Sequence, residues 1–163
     1  MPEPRSHGEG GRAALATEAR ALVEGARRGV LCTLEPERGY PYASVVDLAP
    51  LRGPDVVMLL SRLAAHRTNL EADSRASVLI APFLGDDDAM ARPRLSLLGP
   101  VEREEDRSMY RDAYLAAHPE AETWLAMADF DFFRLRTDRA RYIAGFGRMG
   151  WLEREELRPE IGP

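Results

Sequence analysis

Apolar positions along this chain recur at two spacings, and the change from one to the other lays out its elements. Leu15, Ala19, Leu22, Val23 and Ala26 return every three or four residues, which predicts an amphipathic helix over Arg12–Arg28 with Gly29 as its stop. Short apolar runs follow, separated by Gly- and Pro-bearing turns. They predict strands at Val30–Leu34, Tyr42–Leu48, Asp55–Leu60, Ala76–Ala81 and Arg94–Glu102, with turns at Glu35–Gly39 and Pro50–Pro54. The third run is apolar without alternation, so both of its faces should be covered.

A short helix ending near Asp73 and a loop over Pro82–Arg92 separate these strands. Helical spacing returns over Glu104–His118, with Tyr110, Ala113, Tyr114 and Ala117 along one face, until Pro119 interrupts it. A helical piece at Glu120–Met127 follows, then strands at Phe130–Arg136 and Arg139–Gly145 joined at Thr137-Asp138. The segment Phe146–Pro163 reads as a tail. Seven strands at short spacing, with few intervening helices, exclude a parallel βαβ sheet. The expected class is mainly β (α+β): a small barrel with peripheral helices, whose closure removes exposed edges. Residues 1–11 read as a disordered polar tail, 12–157 as a single domain and 158–163 as a C-terminal tail.

Composition narrows the function classes. With 45% apolar and 30% charged residues and a formal charge of −5, the chain lacks the broad basic surface of a nucleic-acid or anionic-membrane binder. All 22 basic residues are Arg, which excludes Schiff-base chemistry and a Walker phosphate loop. The lone Cys32 can form neither an intrachain disulfide nor a zinc cluster, and no apolar segment is long enough for a signal peptide or membrane span. A cytoplasmic protein is expected, without a resident metal, nucleic acid or membrane as partner.

The candidate chemistry sits at Ser61-Arg-Leu-Ala-Ala-His-Arg-Thr-Asn-Leu70, where a strand runs into a helix. Free N–H groups and the helix dipole favour anions there, and Ser61, Arg62, His66, Arg67 and Thr68 add donors suited to phosphate oxygens. Gly145-Phe-Gly-Arg-Met-Gly150 matches a dinucleotide fingerprint literally. Only thirteen residues follow Gly150, too few for a Rossmann unit, so the glycines are expected to let a loop pass close to something bulky or to a partner chain, with Trp151 as a core or interface anchor. The run Asp86–Asp88 reads as a solvated loop, and His118 as a helix-end cation. No Ser-His-Asp, Cys-His or paired-carboxylate arrangement emerges.

The ordered segments Pro41-Tyr-Ala-Ser-Val-Val46, Leu59–Leu70, Asp73-Ser-Arg-Ala-Ser77, Pro93–Gly99, Phe132–Leu135 and Ala140–Trp151 resemble the pyridoxamine 5'-phosphate oxidase-related FMN-binding split barrels. The resemblance is closest to short members allied to the HugZ-type haem-degrading proteins. It implies a split β-barrel homodimer with FMN at the subunit interface. The implied phosphate grip is Ser61, Arg62, His66 and Arg67, with Ser44 beside the cofactor, Arg94 and Ser96 along the flavin ring, and Trp151 at the edge of the groove. Pyridoxamine-phosphate oxidases proper have an arginine at the position of Ser44 and a C-terminal arginine–histidine region that Leu152–Pro163 lacks; HugZ-type proteins carry a histidine in a C-terminal extension, and this tail has none. The expected function is an FMN-dependent oxidoreductase of unassigned substrate. The alternatives are a haem-binding or haem-degrading HugZ-like protein and a non-catalytic flavin-binding module.

Overall fold

The computed structural model describes residues 9–82, 89–145 and 147–159. Helix α1 (Glu9–Gly25) leads into β1 (Arg28–Leu34), β2 (Pro41–Asp47), β3 (Ala49–Pro50) and β4 (Val56–Ser61). Then come α2 (Ala65–Ala72), β5 (Arg75–Ile80), β6 (Arg94–Arg103), α3 (Arg111–Ala117), α4 (Glu122–Leu125), β7 (Phe130–Leu135), β8 (Arg139–Gly145) and β9 (Arg148–Glu153). The strands pair antiparallel in the order β2-β1-β5-β6-β7-β4-β3, and β8 joins β6 to β9. The result is a split β-barrel with peripheral helices, as the resemblance implies; the strand pattern predicted the barrel and its helices, but not that β2 would remain an open edge.

Long β6 makes the barrel's corner. Its first half pairs with β5 and β8, its end with β7, and Gly99 lies at the switch. A Cβ on Gly99 would sit 2.0 Å from the carbonyl oxygen of Arg136, so only glycine lets the β7–β8 connection lie this close. Strand β4 is covered on both faces, as its unbroken apolar run implies. Val56, Met58 and Leu60 enter the main core with Leu31, Leu95, Leu97 and Phe133, while Val57 packs with Tyr114, Ala121 and Phe132 beneath α3 and α4.

Several boundaries differ from the sequence reading. Helix α1 starts at Glu9, inside the segment read as a tail, and ends at Gly25; its stripe Leu15, Ala19, Val23 is buried as expected. Gly29 is not the helix stop but part of β1, where a Cβ would meet Leu48 Cδ1 at 2.8 Å and the Leu79 carbonyl at 2.9 Å. The predicted helix Glu104–His118 shrinks to Arg111–Ala117. Glu104 N–H donates to the Phe132 carbonyl at 2.9 Å, and the Asp106 carboxylate takes the amide and hydroxyl of Ser108 at 2.8 and 2.6 Å, a local turn that competes with helix. Ala113, expected on the packed face, is exposed.

The segment read as a tail contains β9, which pairs with β8 along Arg139↔Glu153 to Gly145↔Arg148, and both Leu152 and Leu157 are fully buried. Asp86–Asp88, residues 1–8 and residues 160–163 lie outside the described residues. No described helix is long and apolar enough to cross a membrane.

Candidate functional site

The barrel is split between β2 and β4, which share no hydrogen-bonded pairing. A cavity of about 370 Å³ opens along this seam, lined by Val45, Asp47, Leu59, Ser61, His66, Tyr114, Trp124 and Phe130 among others. That volume is in the range of small-molecule sites, and the walls are mostly apolar or aromatic. The Trp124 and Phe130 rings lie 5.9 Å apart at its margin.

His66, in the first turn of α2, is the imidazole of this seam. Its Nδ1 is 3.0 Å from the Ser44 hydroxyl on β2, while its Nε2 is buried with no hydrogen-bond partner. Burial lowers its pKa below the usual 6.5, which favours the neutral ring. Sequence reasoning selected both residues, but not their contact with each other.

The rest of the expected anion loop is arranged differently from a phosphate cradle. Arg67, 4% exposed, is turned into the protein: its Nη1 is 2.8 Å from Asp131, its Nε donates to Glu71 at 3.1 Å, and the guanidinium lies 5.4 Å from the Phe133 ring centroid. Nη1 and Asp131 Oδ2 meet as a charge contact without hydrogen-bond alignment. The Ser61 hydroxyl donates to Asp129 at 3.3 Å and accepts the Leu63 amide at 3.2 Å. Arg62 is exposed and donates to the Ala128 carbonyl. No side chain caps α2, whose N-cap is Ala64.

The other expected site residues, Arg94, Ser96 and Trp151, lie on the outer face of the sheet. One row of paired residues crosses six strands there: Val45, Val30, Leu79, Ser96, Arg141 and Trp151. Trp151 is 40% exposed, with the guanidinium of Arg139 4.3 Å and that of Arg141 5.6 Å from its ring centroid, a stacked cation–π arrangement. Arg94 donates to the Met90 carbonyl at 3.0 Å. The site residues therefore form two groups. Three strand steps separate β2 from β6 and five separate it from β9, about 14 and 24 Å at the usual spacing.

Sequence reasoning missed Trp124 and Phe130 at the seam, and Arg139 and Arg141 on the outer face. The arginine pair was readable from period two in Arg139–Gly145, but its meeting with Trp151 needed β9. It also read His118 as a helix-end cation in a capping role. The ring is buried instead, its Nε2 is 2.8 Å from the Leu48 carbonyl, and it packs 5.1 Å from the Tyr114 ring. Among the described residues no three His, Cys, Asp or Glu side chains cluster as metal ligands.

Comparison with known proteins gives a consistent picture. The CREG β-barrel family matches residues 11–158. The chain is 34% identical over 131 residues to the chloroplastic heme oxygenase HOZ of Arabidopsis thaliana, covering 78% of this chain and 40% of that protein. It superposes on a heme-binding protein from Mycobacterium smegmatis with a TM-score of 0.79 and 34% identity, over 88% of this chain and 59% of the other. A pyridoxinephosphate-oxidase-family protein from Clostridium acetobutylicum, related to general stress protein 26, shares the fold at a TM-score of 0.69 and 14% identity, over 89% and 98% of the two chains. The chain thus spans 40% of the Arabidopsis protein and 59% of the Mycobacterium smegmatis chain, less than two thirds of either.

Proposed function

The chain belongs to the CREG β-barrel family, and from its seam we propose that it binds haem. The observation that carries this reading is the lining of the cavity: mostly apolar and aromatic walls with one imidazole. Such walls suit a flat, largely apolar macrocycle better than a phosphate ester. The buried, unpartnered Nε2 of His66 is a nitrogen of the kind that haem iron accepts, so the donor set fits the group. Leu59, Phe130 and Trp124 would flank the macrocycle and exclude water, and Asp47 and Ser61 would stay at the polar rim. When bound, haem supplies an iron centre for redox or dioxygen chemistry. Two relatives at 34% identity carry haem in their names, which supports the same choice.

The flavin expectation depends on Arg67 as a phosphate anchor, and that guanidinium is already engaged by Asp131 and Glu71. Titration of the protein with haemin and, in parallel, with FMN separates the two. Haem binding gives a saturable Soret band at one equivalent per chain. Stoichiometric FMN uptake with no Soret response would replace this reading with the flavin one.

The working unit in this proposal is a homodimer. The outer sheet face carries Val45 at 68% exposure, half-buried Val30, Leu79 and Leu98, and the partly exposed Trp151. β2 is an edge strand flanked by exposed Tyr40. An uncovered apolar face beside a free edge is the kind of surface that a twofold-related copy covers. A second copy would also bring its Arg94, Ser96 and Trp151 toward a ligand that one chain's seam alone leaves open.

A further inference from the structure

Resting on the haem reading, we infer that His66 ligates the iron through Nε2 and that Ser44 is the residue that positions its ring. The argument is one of hydrogen-bond accounting. A neutral imidazole has one donor and one acceptor nitrogen. If Nδ1 carries the proton, it donates to the Ser44 hydroxyl 3.0 Å away, and the lone pair on Nε2 is left without a partner in a buried place. Leaving such an atom unsatisfied is unfavourable, and an iron that reached it would relieve it. Metal-bound imidazoles characteristically donate their second N–H to a fixed acceptor, which sets the tautomer and the ring plane. Ser44 on β2 and His66 on α2 make that arrangement across two elements before any ligand arrives.

The other described candidates are placed differently. His118 is held at Nε2 by the Leu48 carbonyl, and its Nδ1 faces Glu120 at 3.4 Å. Cys32 lies opposite Ala43 and Ser77 on the outer face of the sheet, away from the seam. Tyr114 lines the seam, but its ring packs between those of Phe132 and His118.

The test is resonance Raman spectroscopy of the ferrous haem complex of the full chain, read at the iron–imidazole stretch, with H66G and S44A. The expected result is a stretch in the wild type, its loss in H66G, and its return when imidazole is added to H66G, since an unfolded variant cannot be rescued in this way. S44A should keep the stretch at lower frequency and bind haem about ten- to a hundredfold more weakly, because the imidazole loses its orienting acceptor. An iron–imidazole stretch that persists unchanged in H66G overturns the assignment while haem binding stands. An unshifted stretch in S44A overturns the positioning role. A wild-type chain that takes up no haem removes the haem reading and this inference together.

Discussion

Arg154, just past the last strand, places its Nη1 2.6 Å from the carboxylate of Asp55 at the entrance to β4, joining points 99 residues apart in the chain. Asp55 is 3% exposed at its side chain and also accepts Arg134 at 2.6 Å and the Thr137 amide at 3.0 Å. This fully bonded carboxylate clamps the C-terminal segment and the β7–β8 turn onto the start of β4. D55N removes the buried charge that accepts from two partly exposed guanidiniums, and losing such charge-assisted hydrogen bonds should cost about 1.5–3 kcal/mol in urea unfolding.

The same clamp makes stability depend on pH. Burial by itself would raise the pKa of Asp55, but hydrogen bonds from Arg154, Arg134 and Thr137 outweigh it, and the folded value lies below the usual 3.8. A depressed carboxylate pKa stabilises the fold above the unfolded value, and that contribution is lost as pH falls through the folded value. Wild-type melting temperature should drop on acidification below about pH 4, and the drop should be shallower in D55N. Equal slopes in the two proteins would assign the acid sensitivity to other carboxylates.

Gly99→Ala is expected to destabilise more than most surface changes. The new methyl would stand 2.0 Å from a backbone oxygen, which no rotamer change relieves. Overpacking of this kind costs about 1–3 kcal/mol or more, and here it would pry the β7–β8 turn from the corner of β6. Denaturant melts of G99A beside L98A, at the half-buried neighbour, separate a corner effect from ordinary side-chain loss.

Arg67→Ala discriminates between the loop as a phosphate grip and the loop as a structural joint. A phosphate contact would weaken FMN binding while sparing riboflavin. The observed position, sealed against Asp131, predicts instead a loss of about 3–5 kcal/mol in the ligand-free protein, because Asp131 would keep only Arg103 at 3.1 Å. Calorimetry of the apoprotein reads this directly. An R67A protein as stable as wild type would return Arg67 to the list of ligand contacts.

Periodicity carried the fold a long way in this chain. The buried stripe of α1, the two-faced burial of β4 and a mainly β barrel with peripheral helices follow from apolar spacing, while the split in that barrel came from the family resemblance. What escaped was decided by contacts distant in sequence. Gly29 looks like a helix stop until Leu48 and Leu79 arrive against it. Arg148–Glu153 carries a glycine and only modest alternation, and becomes a strand because β8 offers a partner. The segment from Ser61 to Leu70 was singled out as a candidate site from its residue types. Types do not set direction, however, and Asp131 on β7 turned Arg67 inward while Ser44 on β2 caught His66.

Val45 and Trp151 stand at the two ends of one cross-sheet row, 68% and 40% exposed, on the face proposed to meet a second copy. Val45→Arg probes that face, and because Val45 also lines the seam its ligand affinity is read against that of Trp151→Ala, at a residue that does not. The Val45 side chain is largely in water in the single chain, so the substitution should change monomer stability by no more than about 0.5 kcal/mol. In a twofold contact, the new guanidinium would be desolvated without a partner, and dimerisation should weaken by at least tenfold. Trp151→Ala removes an aromatic anchor and leaves Arg139 and Arg141 unstacked, with the same expected direction. If the ligand touches both copies, it stabilises the dimer by mass action, so each variant should lose ligand affinity in step with self-association. Sedimentation of wild type, V45R and W151A, with and without haemin, reads both quantities. A wild type that sediments as a monomer while binding haemin tightly would confine the site to the seam of one chain and remove Arg94, Ser96 and Trp151 from it.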